Sequence, residues 1–366
     1  MTVLKFSLLQ ALGAVMAAAC SFSPAHAKDQ SALPSPAAAV AAAGAAALDG
    51  KGAAERSINI ADWLMRMHEA SRKRAYAGTF VVSSANYMSS ARIWHICDGE
   101  QQMERVETLT GAPRSTFRRN DEVITFNVDS KTAVAEKRES LRLFPNMLLA
   151  SDSSIAQFYA AKHAGVERVA GIDSEVVQLV AKDNLRFGYR VWSEKKTGLV
   201  VKLQTLVTDG RVLEQAAFSE LQLDAPVSMS KLTQMMSNVE GYKVTRPDLV
   251  KTTALAEGWV LKVPVAGFKP MNCFKRVVNQ AEGAGAESAM QWIFSDGLAS
   301  VSLFVEGFDR QRHVQEGLMS LGATKSLTRK LSDKSGDKPA EWWLTVVGEV
   351  PAQTLTSFSL GLERKR

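Results

Sequence analysis

The chain has 366 residues, 46% hydrophobic and 22% charged, with 44 basic against 38 acidic residues and a formal net charge of +6. That length holds about two domains of ordinary size, and the composition excludes a disordered chain. The basic excess is mild and scattered, which excludes a nucleic-acid binder built on one basic face and leaves anionic lipid headgroups or an acidic peptide as partners.

At the N-terminus, Lys5 precedes an apolar run over residues 6–20, and Ala25-His26-Ala27 supplies an A-x-A cleavage site. Residues 1–27 therefore read as a signal peptide. The run falls short of the roughly 20 residues a membrane span needs. Acylation of Cys20 is the competing reading, against which Ala17 stands where lipoprotein motifs usually carry Leu. Removing the peptide takes only Lys5 and leaves a net charge of +5. Residues 28–56 are dominated by Ala, Pro, Gly and Ser and read as a tether, with a coiled interaction helix as the alternative. Two cysteines then remain, Cys97 and Cys273, far apart and without a C-x-x-C. An export compartment permits a disulfide, but the pair reads as two buried free thiols.

From Ser57, a candidate cap, Ile60, Trp63, Leu64 and Met67 recur at three- and four-residue spacing, which predicts an amphipathic helix through about Lys73. Strands follow at 76–82, 91–96, 122–128 and 132–138, the last two joined by an Asp129-Ser130-Lys131 turn. A short helix is expected near 153–163, then strands at 176–180, 187–193, 199–208 and 211–223. Asp209-Gly210 between the last two is a strong hairpin signal, since both residues tolerate positive φ. Consecutive hairpins with few helices predict a large antiparallel sheet, whose length makes it curl around an apolar face. Polar, irregular sequence over 225–256 reads as a linker carrying at most a short helix. Strands at 259–263, 269–278, 290–294, 298–305, 325–331 and 341–347 and a final helix at 352–362, opened by Pro351, make a second module. The fold class is mainly β (α+β): a large module over 57–224, a linker over 225–256 and a small module over 257–366.

Catalytic patterns are hard to find. His95 and Cys97 share a strand face, but two ligands do not make a metal site. The loop Glu282-Gly283-Ala284-Gly285 lacks the lysine and following helix of a phosphate cradle. There is no G-x-S-x-G. Arg114, Arg118 and Arg119, and again Lys131, Lys137, Arg138 and Arg142, read as solvated strand faces or as an anionic-ligand surface. Trp63, Met65, Met67, Met88, Trp94, Met103, Met147 and Trp192 in the large module fit either an ordinary core or an adaptable acyl-chain pocket. No cofactor and no metal are expected, and the chain does not read as an enzyme.

Five segments carry a resemblance: YAGTFVVSSANYMSSARIWHICDG, ERVETLTGAPRSTFRRNDEV, YRVWSEKKTGLVVKLQTLVTDGRVLEQAAFSEL, FSDGLASVSLFVEGF and VVGEVPAQTL. Together they resemble the RseB/MucB family, negative regulators of the envelope-stress sigma factor sigma-E (AlgU in some bacteria), from about Ile58 to the end. The resemblance implies a periplasmic protein whose large module is a LolA/LolB-like half-open barrel with helices inside. The small module would be an antiparallel sheet with a C-terminal helix. It also implies that the chain binds the periplasmic domain of an RseA/MucA-like anti-sigma factor and shields it from a DegS-type protease. Lipid or lipopolysaccharide would displace it, and the linker would act as a hinge. The long alanine-rich tether departs from that pattern. On this reading Phe80, Trp94, Phe126, Trp192, Val201 and Leu203 are the lipid-pocket candidates. Phe294, Ser295, Asp296, Gly297, Leu298 and Phe304, with the linker, are the partner-binding candidates. A lipid or lipoprotein carrier of LolA/LolB type is the alternative, and a homo-oligomer stays open.

Overall fold

The computed structural model describes residues 58–85, 87–99, 101–137, 144, 154–247, 249–279, 287–333 and 340–365. The signal peptide, the tether, Ser57, Arg138, Arg142, Met147, Ser153 and the 282–285 loop lie outside the described residues.

Helix α1 spans Ile60–Lys73. Its cap is Asn59, not Ser57: the Asn59 side chain accepts from the Ala61 and Asp62 amides, satisfying two of the donors a helix start leaves free. Asp62 in the first turn and Arg72 and Lys73 in the last complement the helix dipole. The stripe Ile60, Trp63, Leu64, Met67 and Ala70 is buried against a sheet.

That sheet has twelve strands: β1 (Tyr76–Ser84), β2 (Tyr87–Asp98), β3 (Gln101–Thr108), β4 (Arg114–Arg119), β5 (Glu122–Asn127), β6 (Thr132–Lys137), β7 (Tyr159–Val169), β8 (Ile172–Ala181), β9 (Gly188–Glu194), β10 (Val200–Leu206), β11 (Val212–Leu223) and β12 (Lys243–Thr245). The order β12-β6-β5-β4-β3-β2-β1-β11-β10-β9-β8-β7 leaves β12 and β7 as unpaired ends, so the sheet is half-open. Register shifts at Thr79/Phe80, Val200/Lys202 and His163/Val166 mark irregularities of the kind that bend a strand and tighten its twist. Between β10 and β11 only Gly210 has positive φ. The Val207 and Arg211 backbones pair around three residues, and the register shifts at Thr205/Leu206, so the turn is longer than the two-residue hairpin expected from Asp209-Gly210.

Two helical expectations change. The 153–163 helix shrinks to α2 (Ile155–Phe158), and the rest becomes β7. The linker is more ordered than its polarity suggested. Helix α3 (Met229–Ser237), capped by Ser228, packs on the face of the sheet opposite α1. Strand β12 then joins β6 in parallel, and β13 (Leu249–Lys251) joins the second sheet.

The second sheet adds β15 (Lys269–Asn279), β16 (Glu287–Ser295), β17 (Ser300–Gly307), β18 (Gly317–Leu321), β19 (Thr324–Asp333) and β20 (Ala340–Gly348), in the order β13-β15-β16-β17-β20-β19-β18. Helix α4 (Ala352–Gly361), with Pro351 as its cap residue, packs on it through Leu355 and Phe358. Strand β14 (Trp259–Leu261) pairs with β21 (Leu362–Arg364), returning the chain end to the start of the module. There the Arg364 guanidinium lies 5.2 Å from the Trp259 ring centre and 5.0 Å from that of Trp342.

Candidate functional site

Three buried clusters organise the molecule. The first lies between α1 and the large sheet, the second inside the small module, and the third between α3 and the outer face of β2–β6. Side chains alternate across a strand, and on β2 and β5 neighbours in sequence join different clusters: Ile93 and Val123 the first, Trp94 and Ile124 the third.

That alternation divides the lipid-pocket candidates. Phe80, Trp192, Val201 and Leu203 belong to the first cluster. The Phe80 ring centre is 5.5 Å from that of Phe144 and 6.2 Å from that of Phe218, which leaves Phe80 only 1% exposed. Trp192 is buried beneath Lys202, whose ammonium sits 4.2 Å from the ring centre, and its Nε1 donates to Glu167 at 2.7 Å. Trp94 and Phe126 join the third cluster instead. Phe126 meets Phe117 and Tyr242 edge-on, and Arg105 lies 4.8 Å from the centre of the Trp94 ring. Six residues expected around one apolar face therefore serve two.

The inner face also carries a polar group of side chains. Tyr76 and His95 stack at 4.9 Å, and His95 Nδ1 donates to the Arg74 carbonyl at 2.8 Å. Burial holds the His95 pKa below the ordinary imidazole value, against the pull of the Glu104 carboxylate. Beside it Arg118 pairs with Glu104 at 3.4 Å, both almost fully buried, and donates to the Asn120 carbonyl at 2.8 Å. The expected basic face therefore does not form one surface: Arg118 points inward, while Arg119 pairs with Glu122 at the rim. Cys97 and Cys273 are free thiols, and burial pushes Cys273 up to about 11. Among the described residues no cluster of His, Cys, Asp or Glu could hold a metal ion, and no helix is long and apolar enough to cross a membrane.

The partner-binding candidates sit largely at the junction of the modules. Phe294 is in the small core, packed on Trp292 and Phe358. Phe304, on β17, is half-buried. The β16–β17 turn is closed by its own side chains: Ser295 Oγ accepts from the Gly297 amide, and Asp296 Oδ1 from the Leu298 and Ala299 amides. Its tip enters the large module. Leu298 packs on the first cluster, and a Cβ on Gly297 would lie 3.0 Å from Ile155 Cδ1.

Asp296 meets residues that the sequence did not single out. Its Oδ2 accepts from the Tyr159 hydroxyl at 3.1 Å and lies 3.3 Å from Arg186 Nε. Burial holds its carboxyl above the ordinary carboxylate value, opposed by the two amides, Arg186 and the Tyr159 hydroxyl. Thr354 donates to the Leu185 carbonyl at 2.6 Å, the Ala323 amide to Glu214 at 3.2 Å and Arg186 to the Ala266 carbonyl at 2.7 Å, so with the Tyr159 bond four hydrogen bonds and the Arg186–Asp296 pair cross the junction. The one local signal for Arg186 was a charge set between Leu185 and Phe187.

Two large sheets, one covered by α1 and α3 and the other by α4, joined through a buried junction, define a mainly β, two-module class of protein. The comparisons narrow that class. The MucB/RseB N-terminal domain family matches residues 59–236 and the MucB/RseB C-terminal domain family matches residues 253–363. The chain belongs to the MucB/RseB family. It is 27% identical over 315 residues to the sigma factor AlgU regulatory protein MucB of Pseudomonas aeruginosa, covering 84% of this chain and 92% of the relative. To the sigma-E factor regulatory protein RseB of Escherichia coli K12 it is 22% identical over 294 residues, covering 80% and 86%. Among solved structures it is similar to MucB in complex with the periplasmic part of MucA, with a TM-score of 0.63, 25% identity and coverage of 83% of this chain and 98% of that one. A second structure, the Pseudomonas aeruginosa MucA/MucB complex, gives a TM-score of 0.64 at 25% identity, covering 84% and 99%.

Proposed function

We propose that this chain is a periplasmic regulator that binds the periplasmic domain of a membrane-spanning, MucA/RseA-like anti-sigma factor. Bound, it shields that domain from the first proteolytic cut, and lipid or lipopolysaccharide releases it. The observation that carries this reading is the similarity over both modules to MucB solved with MucA, which leaves almost none of that chain unmatched. A signal-peptide reading of residues 1–27 and the family's regulatory names support it. Nothing in the reading needs a reaction: occupancy of one partner surface blocks a protease, and a ligand with different affinities for two states shifts that occupancy.

The test uses the mature chain, residues 28–366, and a MucA periplasmic domain. Binding by calorimetry, protection of that domain from a DegS-type protease and loss of both on adding lipopolysaccharide are expected. Absence of binding with and without lipopolysaccharide would overturn the reading. The carrier alternative predicts that a fragment ending at Leu223 transfers acylated cargo by itself, while the full chain ignores MucA.

A further inference from the structure

The two modules meet through one buried charge pair. Arg186 comes from the connection between β8 and β9, and Asp296 from the turn between β16 and β17; both side chains are fully buried. Arg186 also donates to the Ala266 carbonyl of the small module at 2.7 Å. Its guanidinium lies 4.3 Å from the ring centre of Phe158 and 5.3 Å from that of Phe268, one ring from each module. Asp183, on the large module and a third exposed, reaches it at 3.3 Å. Two glycines of the small module line the seam in the left-handed region, Gly267 at φ 83° and Gly297 at φ 97°. A Cβ on Gly267 would come within 2.8 Å of both Arg186 and Phe158, so any side chain there is strained at its own backbone and must push one of them aside.

Burying two opposite charges costs desolvation comparable to the attraction gained, so such a pair adds little net stability. Its effect is on choice. An arrangement that slides the modules apart while the seam stays dry takes both Arg186 and the Tyr159 hydroxyl from the buried Asp296 carboxylate and leaves Arg186 with Asp183 alone, which is strongly unfavourable. The junction therefore has two acceptable states: closed with the pair intact, or open with both groups hydrated.

We propose that the Arg186–Asp296 pair is a latch, holding the modules in the arrangement that binds the anti-sigma tail, so that opening the junction weakens that binding. The coupling to the tail rests on the function proposed above; the latch itself does not. An amphiphile that prefers the open state displaces the tail only by its differential affinity for the two states.

The experiment uses the full mature chain with spin labels at Met65→Cys and Met271→Cys, both exposed and one on each module, in a Cys97→Ser, Cys273→Ala background. Arg186→Glu sets a carboxylate against Asp296 and Asp183, and Asp296→Lys sets an ammonium against Arg186. Each reversal is expected to raise a second inter-module distance population at least tenfold and to weaken MucA periplasmic-domain binding at least tenfold. Folded single variants with an unchanged distance distribution overturn the latch. A shifted distribution with unchanged MucA affinity overturns the coupling. If the unaltered chain ignores MucA, the proposed function fails while the distances still judge the latch. Should the reversals not fold, Gly267→Val wedges the same seam between Arg186 and Phe158, and an unshifted distribution there overturns the latch as well.

Discussion

Phe80 and His95 lie on the same side of the large sheet, four positions apart in the β1–β2 register, and are buried for different reasons. Phe80 is surrounded by Phe144 and Phe218, so Phe80→Ala removes a ring from a site that has little means of collapsing. The expected cost is about 3–5 kcal/mol, read as a lower urea midpoint with an unchanged slope. His95 is buried neutral, with Nδ1 committed to the Arg74 carbonyl. Burial depresses its pKa below 6.5, so the native state binds the proton less readily than the unfolded chain. The stability it contributes is present above 6.5 and is lost as pH falls through the depressed folded value. A His95→Gln variant lacks that loss. The gap between the two proteins in unfolding free energy should therefore shift against the unaltered chain between about pH 8 and about pH 5. A gap that stays constant across that range would show that His95 titrates alike in both states. Tyr159→Phe removes a donor to a buried carboxylate and should cost about 1–3 kcal/mol by the same unfolding measurement.

The elements differ in how plainly their sequences announce them, and the difference is physical. Strands β1, β8, β10 and β11 carry apolar residues at every second position or in short runs and were legible, as was the site of the β10–β11 turn at Asp209-Gly210, though not its length. Strands β3 and β4 were missed because some of their inward positions are charged. Glu104 and Arg118 face each other across the register and satisfy one another, so no apolar alternation marks either strand. Strand β7 reads as a helix because Ile155, Phe158 and Tyr159 have helical spacing and its register shift at His163/Val166 breaks the period of two. It is also an end strand with an exposed run, so half of its pattern carries no burial signal. The site suffered more. Trp94 and Phe126 were recognisable as aromatics that pack on the sheet, but the face each would take depended on a register that only the folded sheet provides. Arg186 and Asp296 are brought together by the docking of two modules, which no local pattern encodes. Helix α3 offers a test at this scale. Leu232 and Met236 cover Met103, Phe117 and Phe126, so Leu232→Asp should uncover that face, lower the melting temperature by several degrees and raise binding of a hydrophobic dye.

At the scale of the whole molecule, the linker and the junction decide how independent the modules are. The linker contributes β12 to one sheet and β13 to the other, leaving only residues 246–248 between them. A hinge there has little free chain, and opening must pivot on that short span. Across the seam the packing is shared: Leu298 and Ala323 of the small module join the first cluster, while Leu185 of the large module packs on the second. Each module therefore completes part of its partner's core. A chain of this kind should unfold as one cooperative unit even though its two sheets are topologically separate. Calorimetry of the mature protein is expected to give a single transition. A fragment ending at Leu223 should melt lower than the full chain, since it loses Leu298, Ala323 and the whole of α3 from its apolar faces. Two well-separated transitions in the full chain, one matching that fragment, would mean that the seam contributes no cooperativity. The modules would then move independently of the contacts that join them.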